Sequence, residues 1–167
     1  WRRANGISDS AVETQWEQKS MSTERTFHAD TNDKKFLKEL LVKMVEELAY
    51  DLRRSEKSAG SVSIKIRHSS FETHTYQCKV SYTSSDHILL QKVMELFDKN
   101  YDSRVMIRLL GIKFSSLVEG AIQMDLFDNT SDMINLYQSL DKIKLRFGEK
   151  AVMRSTSMGA PKPKKEE

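Results

Sequence analysis

The 167-residue chain has a single cysteine, and no Gly-rich phosphate loop or long apolar run. Cys78 alone cannot form an internal disulfide, and metal sites that need two thiolates are excluded with it. No stretch approaches the roughly 18–20 apolar residues of a membrane span, so no membrane is expected as a partner. The opening, Trp-Arg-Arg-Ala-Asn-Gly-Ile, is neither an initiator Met nor an apolar secretory signal. A piece of a longer, cytoplasmic protein is therefore expected, monomeric as a fragment.

What is present is charge. Lys and Arg number 27 against 24 Asp and Glu, and 31% charged residues beside 38% hydrophobic ones mark a soluble globular chain. The net +3 is too small to identify a partner, but its distribution is informative.

Residues 1–18 are weakly patterned and read as the end of a preceding element plus a linker. Lys19 to Ala29 reads as a strand. From Asn32 the period changes: Phe36, Leu37, Leu40, Leu41, Met44, Val45, Leu48, Ala49 and Leu52 form one helical stripe, with Asn32 or Asp33 as cap. Ser58-Ala59-Gly60 is expected to end that helix. Ser61–Arg67 and Thr75–Tyr82 then alternate strictly, joined by a turn at His68-Ser69-Ser70, as two antiparallel strands half-buried on one face. A second helix is expected over 85–101, with Ile88, Leu89, Val93, Leu96 and Phe97 inward. A last strand is expected over 104–115, with a bulge near Gly111.

The predicted fold is α+β: a four-stranded antiparallel-type sheet in β-α-β-β-α-β order with two helices on one face. A C-terminal helix follows over 131–150, with Met133, Leu136, Tyr137, Leu140, Ile143 and Phe147 as its stripe, and a solvated, flexible tail over 151–167.

The strand segments 20–29, 61–82 and 104–115 hold seven basic residues against two acidic, whereas 86–102 holds two against four. The open sheet face is thus expected to be the positive one. Its outward hairpin positions are Ser63, Lys65, Arg67, Thr75, Gln77, Lys79 and Ser81. Hydroxyls, an amide and cations suit a phosphate backbone, and none demands a particular base. The absence of aromatics among them argues against single-stranded RNA binding, which relies on stacking.

Three stretches carry a resemblance: Lys19-Ser-Met-Ser-Thr-Glu-Arg-Thr-Phe27, Ile64-Lys-Ile-Arg-His-Ser-Ser-Phe-Glu-Thr-His-Thr75 and Ile107-Arg-Leu-Leu-Gly-Ile-Lys-Phe-Ser-Ser-Leu117. In order and spacing they resemble the little-finger domain of Y-family translesion DNA polymerases, most of all the DNA polymerase IV type. The resemblance covers residues 19–118, with 1–18 similar to the thumb's end and its tether. It implies a domain that grips primer–template duplex DNA by its backbone, through Ser22, Arg25, Thr26, Lys65, Arg67, Thr75 and Arg108. Lys79 joins them by its outward position on the hairpin. The family often has a basic residue just after the position of Thr75; here Tyr76 and Gln77 stand there.

Within the segment 119–130, Gln123-Met124-Asp125-Leu126-Phe127 resembles the pentapeptide by which bacterial polymerases dock on the sliding clamp. Leu126 and Phe127 would fill an apolar pocket, worth roughly 3–6 kcal/mol before ordering costs. Gln123 would supply an amide, Met124 an adaptable filler.

The resemblance implies a parent DNA-directed polymerase with Mg²⁺ on a palm domain, but the palm's Asp-x-Asp and Ser-x-Asp-Glu carboxylate motifs are not in this sequence. The fragment is expected to be catalytically inactive, with no cofactor and no metal site of its own. His28, His68, His74 and His87 show no ligand spacing. An alternative reading is a protein-interaction module in which the pentapeptide and the last helix recruit partners.

Overall fold

The structure is a computed structural model that describes residues 1–7, 17–120, 130–148 and 151–157. Its core runs β1 (Ser20–Thr31), α1 (Lys34–Arg54), β2 (Lys57–His68), β3 (Thr73–Thr83), α2 (Asp86–Asn100) and β4 (Ile107–Glu119), followed by α3 (Thr130–Phe147). The four strands lie in the order β1-β4-β2-β3, every neighbouring pair antiparallel. The expected α+β architecture is the observed one.

Helix α1 starts where its amides find a partner. Asp33 Oδ1 accepts from the backbone N–H of Lys35 at 2.9 Å and of Phe36 at 3.2 Å. The apolar stripe then packs Leu37, Leu41, Met44, Val45, Leu48 and Leu52 onto Val62, Ile64, Ile66, Leu110, Ile112 and Phe114 of the sheet, and α2 adds Leu89, Val93 and Phe97. Both helices occupy one face of the sheet; the other carries the alternate residues of each strand.

Several boundaries differ from the sequence reading. Helix α1 ends at Arg54, ahead of Ser58-Ala59-Gly60, which belong to β2 instead. Ser58 and Ala59 are buried, because β2 is a central strand flanked on both sides. Strand β4 has no bulge at Gly111, which pairs regularly with Glu24 and Lys65. The irregularities fall beside Arg108 and opposite Gly60, where a Cβ would lie 2.6 Å from the Tyr82 ring. Tyr82, expected inward, is therefore displaced from the core and exposed.

The third helix docks with a rotated face. Tyr137 is buried, whereas Leu136, Ile143 and Phe147 of the expected stripe are exposed. The contact is made by polar side chains around Arg53 of α1. Arg53 donates to Asp141 through Nε at 2.7 Å and Nη2 at 3.0 Å, to the Ser84 carbonyl at 3.0 Å, and to Asp86. Its guanidinium also lies 4.9 Å from the Tyr137 ring centre, and His87 meets the Tyr137 hydroxyl at 2.9 Å. Burial opposes charge on Arg53, but the hydrogen bonds and fields of Asp141 and Asp86 outweigh it and hold the group protonated above its ordinary range. Residues 151–157 return to α1, with Arg154 Nε 3.0 Å from Glu46.

Candidate nucleic-acid interface

Antiparallel register assembles the open face in four cross-strand rows. These are Ser20–Ser115–Ser61–Lys79, Ser22–Lys113–Ser63–Gln77, Glu24–Gly111–Lys65–Thr75 and Thr26–Leu109–Arg67–Thr73. Each row holds one cation, and hydroxyls fill most of the other places. Ser61 and Ser63 lie buried among longer neighbours, their hydroxyls donating to the carbonyls of Cys78 and Lys113 at 3.1 and 3.2 Å. Lys113, Lys65 and Arg67 stand on the two central strands among small residues, and Lys79 stands on the β3 edge, which makes a polar platform.

The expected residues separate into those the register brings together and those it does not. Ser22, Thr26, Lys65, Arg67, Thr75 and Lys79 all lie on the open face. Arg25 does not. It pairs with Leu110, a core residue, and its guanidinium lies 3.7 Å from Glu47 on α1. Adjacent strand residues point to opposite faces, so Arg25 and Thr26 cannot share one.

Arg108 stands at the irregularity that opens β4, at the Arg67 end of the platform. Its guanidinium lies 4.8 Å from the Phe71 ring centre and 3.5 Å from Asp30 Oδ1, a buried oxygen with no hydrogen-bond partner among the described residues. Phe71, 65% exposed, closes the β2–β3 hairpin in a left-handed conformation, φ 68°. Glycine or asparagine usually takes that place, and a bulky residue there is strained. Phe71 was not singled out in the sequence; an aromatic where a turn favours glycine was the available signal.

Two cations are already engaged. Lys65 Nζ lies 2.7 Å from Glu24 Oε1 across Gly111, where a Cβ would come within 2.8 Å of the Glu24 side chain. The glycine leaves room for an ion pair to span β4. Arg67 Nε donates to Thr73 Oγ1 at 2.8 Å. Among the described residues, Arg67, Lys79 and Lys113 have no carboxylate partner within ion-pair distance. Lys113 lies outside the expected contacts, since a bulge at Gly111 would break the alternation beyond it. Regular pairing sets it outward, between Ser22 and Ser63.

The histidines also differ from expectation. His68, Glu72 and His74 converge at the end of the hairpin. The pentapeptide Gln123–Phe127 lies outside the described residues. A cavity of about 370 Å³ between α3 and the body, lined by Arg53, Ser84, Ile134, Tyr137 and Asp141, belongs to the docking contact and not to the platform.

Residues 18–126 match the family described as "impB/mucB/samB family C-terminal domain". The chain belongs to that family. Its relatives include "DNA polymerase IV" of Clostridium acetobutylicum, 32% identical over an alignment of 160 residues that covers 93% of this chain and 40% of that protein. Another is "DNA polymerase IV" of Dehalococcoides mccartyi, 35% identical over 147 residues, 87% of this chain and 38% of the relative. The chain thus spans about 40% of the length of the curated relatives it matches. Among solved structures, "Complex of beta-clamp processivity factor and little finger domain of PolIV" aligns with a TM-score of 0.50 and 14% identity. That alignment covers 66% of this chain and 98% of the other. The fold of this family member is therefore that of the little finger.

Proposed function

We propose that this domain lies along primer–template duplex DNA as part of a translesion DNA polymerase, holding the sugar-phosphate backbone without reading bases. The observation that carries the reading is the platform itself: one cation in every row of the open face, among hydroxyls suited to phosphate oxygens. Arg67, Lys79 and Lys113 supply charge, Lys65 is held by Glu24, Ser22, Thr26 and Thr75 supply hydroxyls, and Arg108 extends the strip at one end. Nucleotidyl transfer past damaged bases belongs to the parent polymerase. The magnesium it needs would sit on a palm domain beyond this chain, which by itself is inactive. The parent works in the cytoplasm.

In the same reading Gln123–Phe127 docks on the sliding clamp, with Leu126 and Phe127 in an apolar pocket, Gln123, Met124 and Asp125 completing the peptide. The sequence motif supports this, as does a fold relative described as a complex of beta-clamp processivity factor and little finger domain. The segment lies in sequence between two anchored elements, β4 and α3, so a docked clamp would stay close to the platform.

One pair of measurements tests both parts. Duplex affinity should fall steeply between roughly 50 and 300 mM salt; equal affinity at the two would contradict a backbone grip. Deleting residues 123–127 should abolish clamp capture and leave duplex binding intact, and retained capture would contradict the clamp assignment.

A further inference from the structure

Alternation and hairpin closure place His68, Glu72 and His74 on one side of the β2–β3 hairpin end. The backbone N–H of His68 donates to the Glu72 carbonyl at 2.9 Å, and that of Phe71 to the His68 carbonyl at 3.0 Å, which fixes the two strands at this point. His74 pairs with Ile66, two residues before His68, so the two histidines share one face of the hairpin, and Glu72 in the turn reaches them. One imidazole nitrogen from each histidine and one carboxylate oxygen of Glu72 all lie within 4.8 Å of one another, and the two rings are 5.3 Å apart between centres. Among the described residues no side-chain hydrogen bond or ion pair occupies these imidazole nitrogens or that carboxylate.

We propose that this hairpin end binds a divalent transition-metal ion of the zinc class through His68, Glu72 and His74. Two neutral imidazoles and a carboxylate are a donor set that zinc accepts, with bonds of about 2.0–2.2 Å. Closing the ligand atoms onto one ion calls for rotation of the exposed Glu72 and His74 side chains and of the half-buried His68. Three protein donors leave a coordination position open for water or a phosphate oxygen. The ion would cross-link the ends of β2 and β3 beside Phe71 and Arg108, and so stiffen the tip of the hairpin that carries Lys65, Arg67 and Thr75. The site does not depend on the DNA-binding reading.

Calorimetric titration of Zn²⁺ into the whole chain tests the proposal, with His68→Ala, His74→Ala and Glu72→Gln as variants and His28→Ala as control. One ion per chain is expected. Loss of His68 or His74 should weaken binding by at least the about 10–100-fold that losing an outer-shell partner costs, while His28→Ala should bind as the parent sequence does. Because all three ligands lie at an exposed or half-exposed hairpin end, the variants should keep the far-ultraviolet circular dichroism of the parent. Substituting Co²⁺ should give the visible absorption of a four-coordinate ion, lost in His74→Ala. Added Zn²⁺ should also raise the melting temperature of the parent sequence but not of His74→Ala. Absence of one-to-one binding would overturn the proposal, as would Zn²⁺ affinity unchanged in both histidine variants.

Discussion

Glu24 is the one carboxylate in the four rows of the open face, and it neutralises Lys65 by reaching across Gly111. Both partners are partly exposed, so the pair contributes at most about 1 kcal/mol to folding. Its larger effect is on the charge offered to a polyanion. Glu24→Gln should leave urea stability within about 1 kcal/mol and tighten duplex binding. The salt dependence should steepen by up to about 0.9 in logarithmic slope as Lys65 gains a phosphate. Fluorescence anisotropy over a salt series measures this, and weaker binding would show that the ion pair helps build the interface. Residue-scale features were unevenly legible in the sequence. Alternation on the hairpin assigns Lys65, Arg67, Thr75 and Lys79 to the open face, since Ile64, Ile66, Cys78 and Val80 between them turn toward the core. The same rule excludes Arg25, which sits between Glu24 and Thr26 on the side occupied by α1. Lys113 became legible only once the pairing of Gly111 showed no bulge.

At the scale of elements, the segments that fold around apolar periodicity were legible and the one held by polar contacts was not. Helix α1 and the β2–β3 hairpin follow their periods because burial of Leu37, Leu41, Val62, Ile64 and Ile66 decides their orientation. Helix α3 presents an equally apolar stripe, yet docks through Asp141 and Tyr137 because Arg53 and Asp86 wait there. No local pattern in α3 encodes a partner 88 residues away. Arg53, only 13% exposed, holds two carboxylates that would be left uncompensated without it. Arg53→Ala should therefore cost about 3–5 kcal/mol in equilibrium urea unfolding. Asp141→Ala should strip amide hydrogen-exchange protection from α3 while the sheet keeps its own. A cost below about 1 kcal/mol for Arg53→Ala would mean that the cluster behaves as a solvated surface network.

For the whole molecule, the arrangement is a division of labour between two faces of one sheet. The helices bury the central strands' apolar residues on one side, which fixes the register of the strands. That register in turn spaces Lys79, Lys113, Lys65 and Arg67 over the other side, one per row. Family membership and the little-finger fold agree with this layout, which needs no pocket and no base-specific side chain. The most direct test is the salt dependence of duplex binding by Lys113→Ala, with Arg25→Ala as its counterpart from the helix-covered side. Lys113→Ala should lower the slope of log affinity against log salt by about 0.9 and weaken unrelated duplex sequences equally, whereas Arg25→Ala should leave the slope unchanged. An unchanged slope for Lys113→Ala, or a loss that depends on sequence, would contradict a backbone-binding platform on the open face.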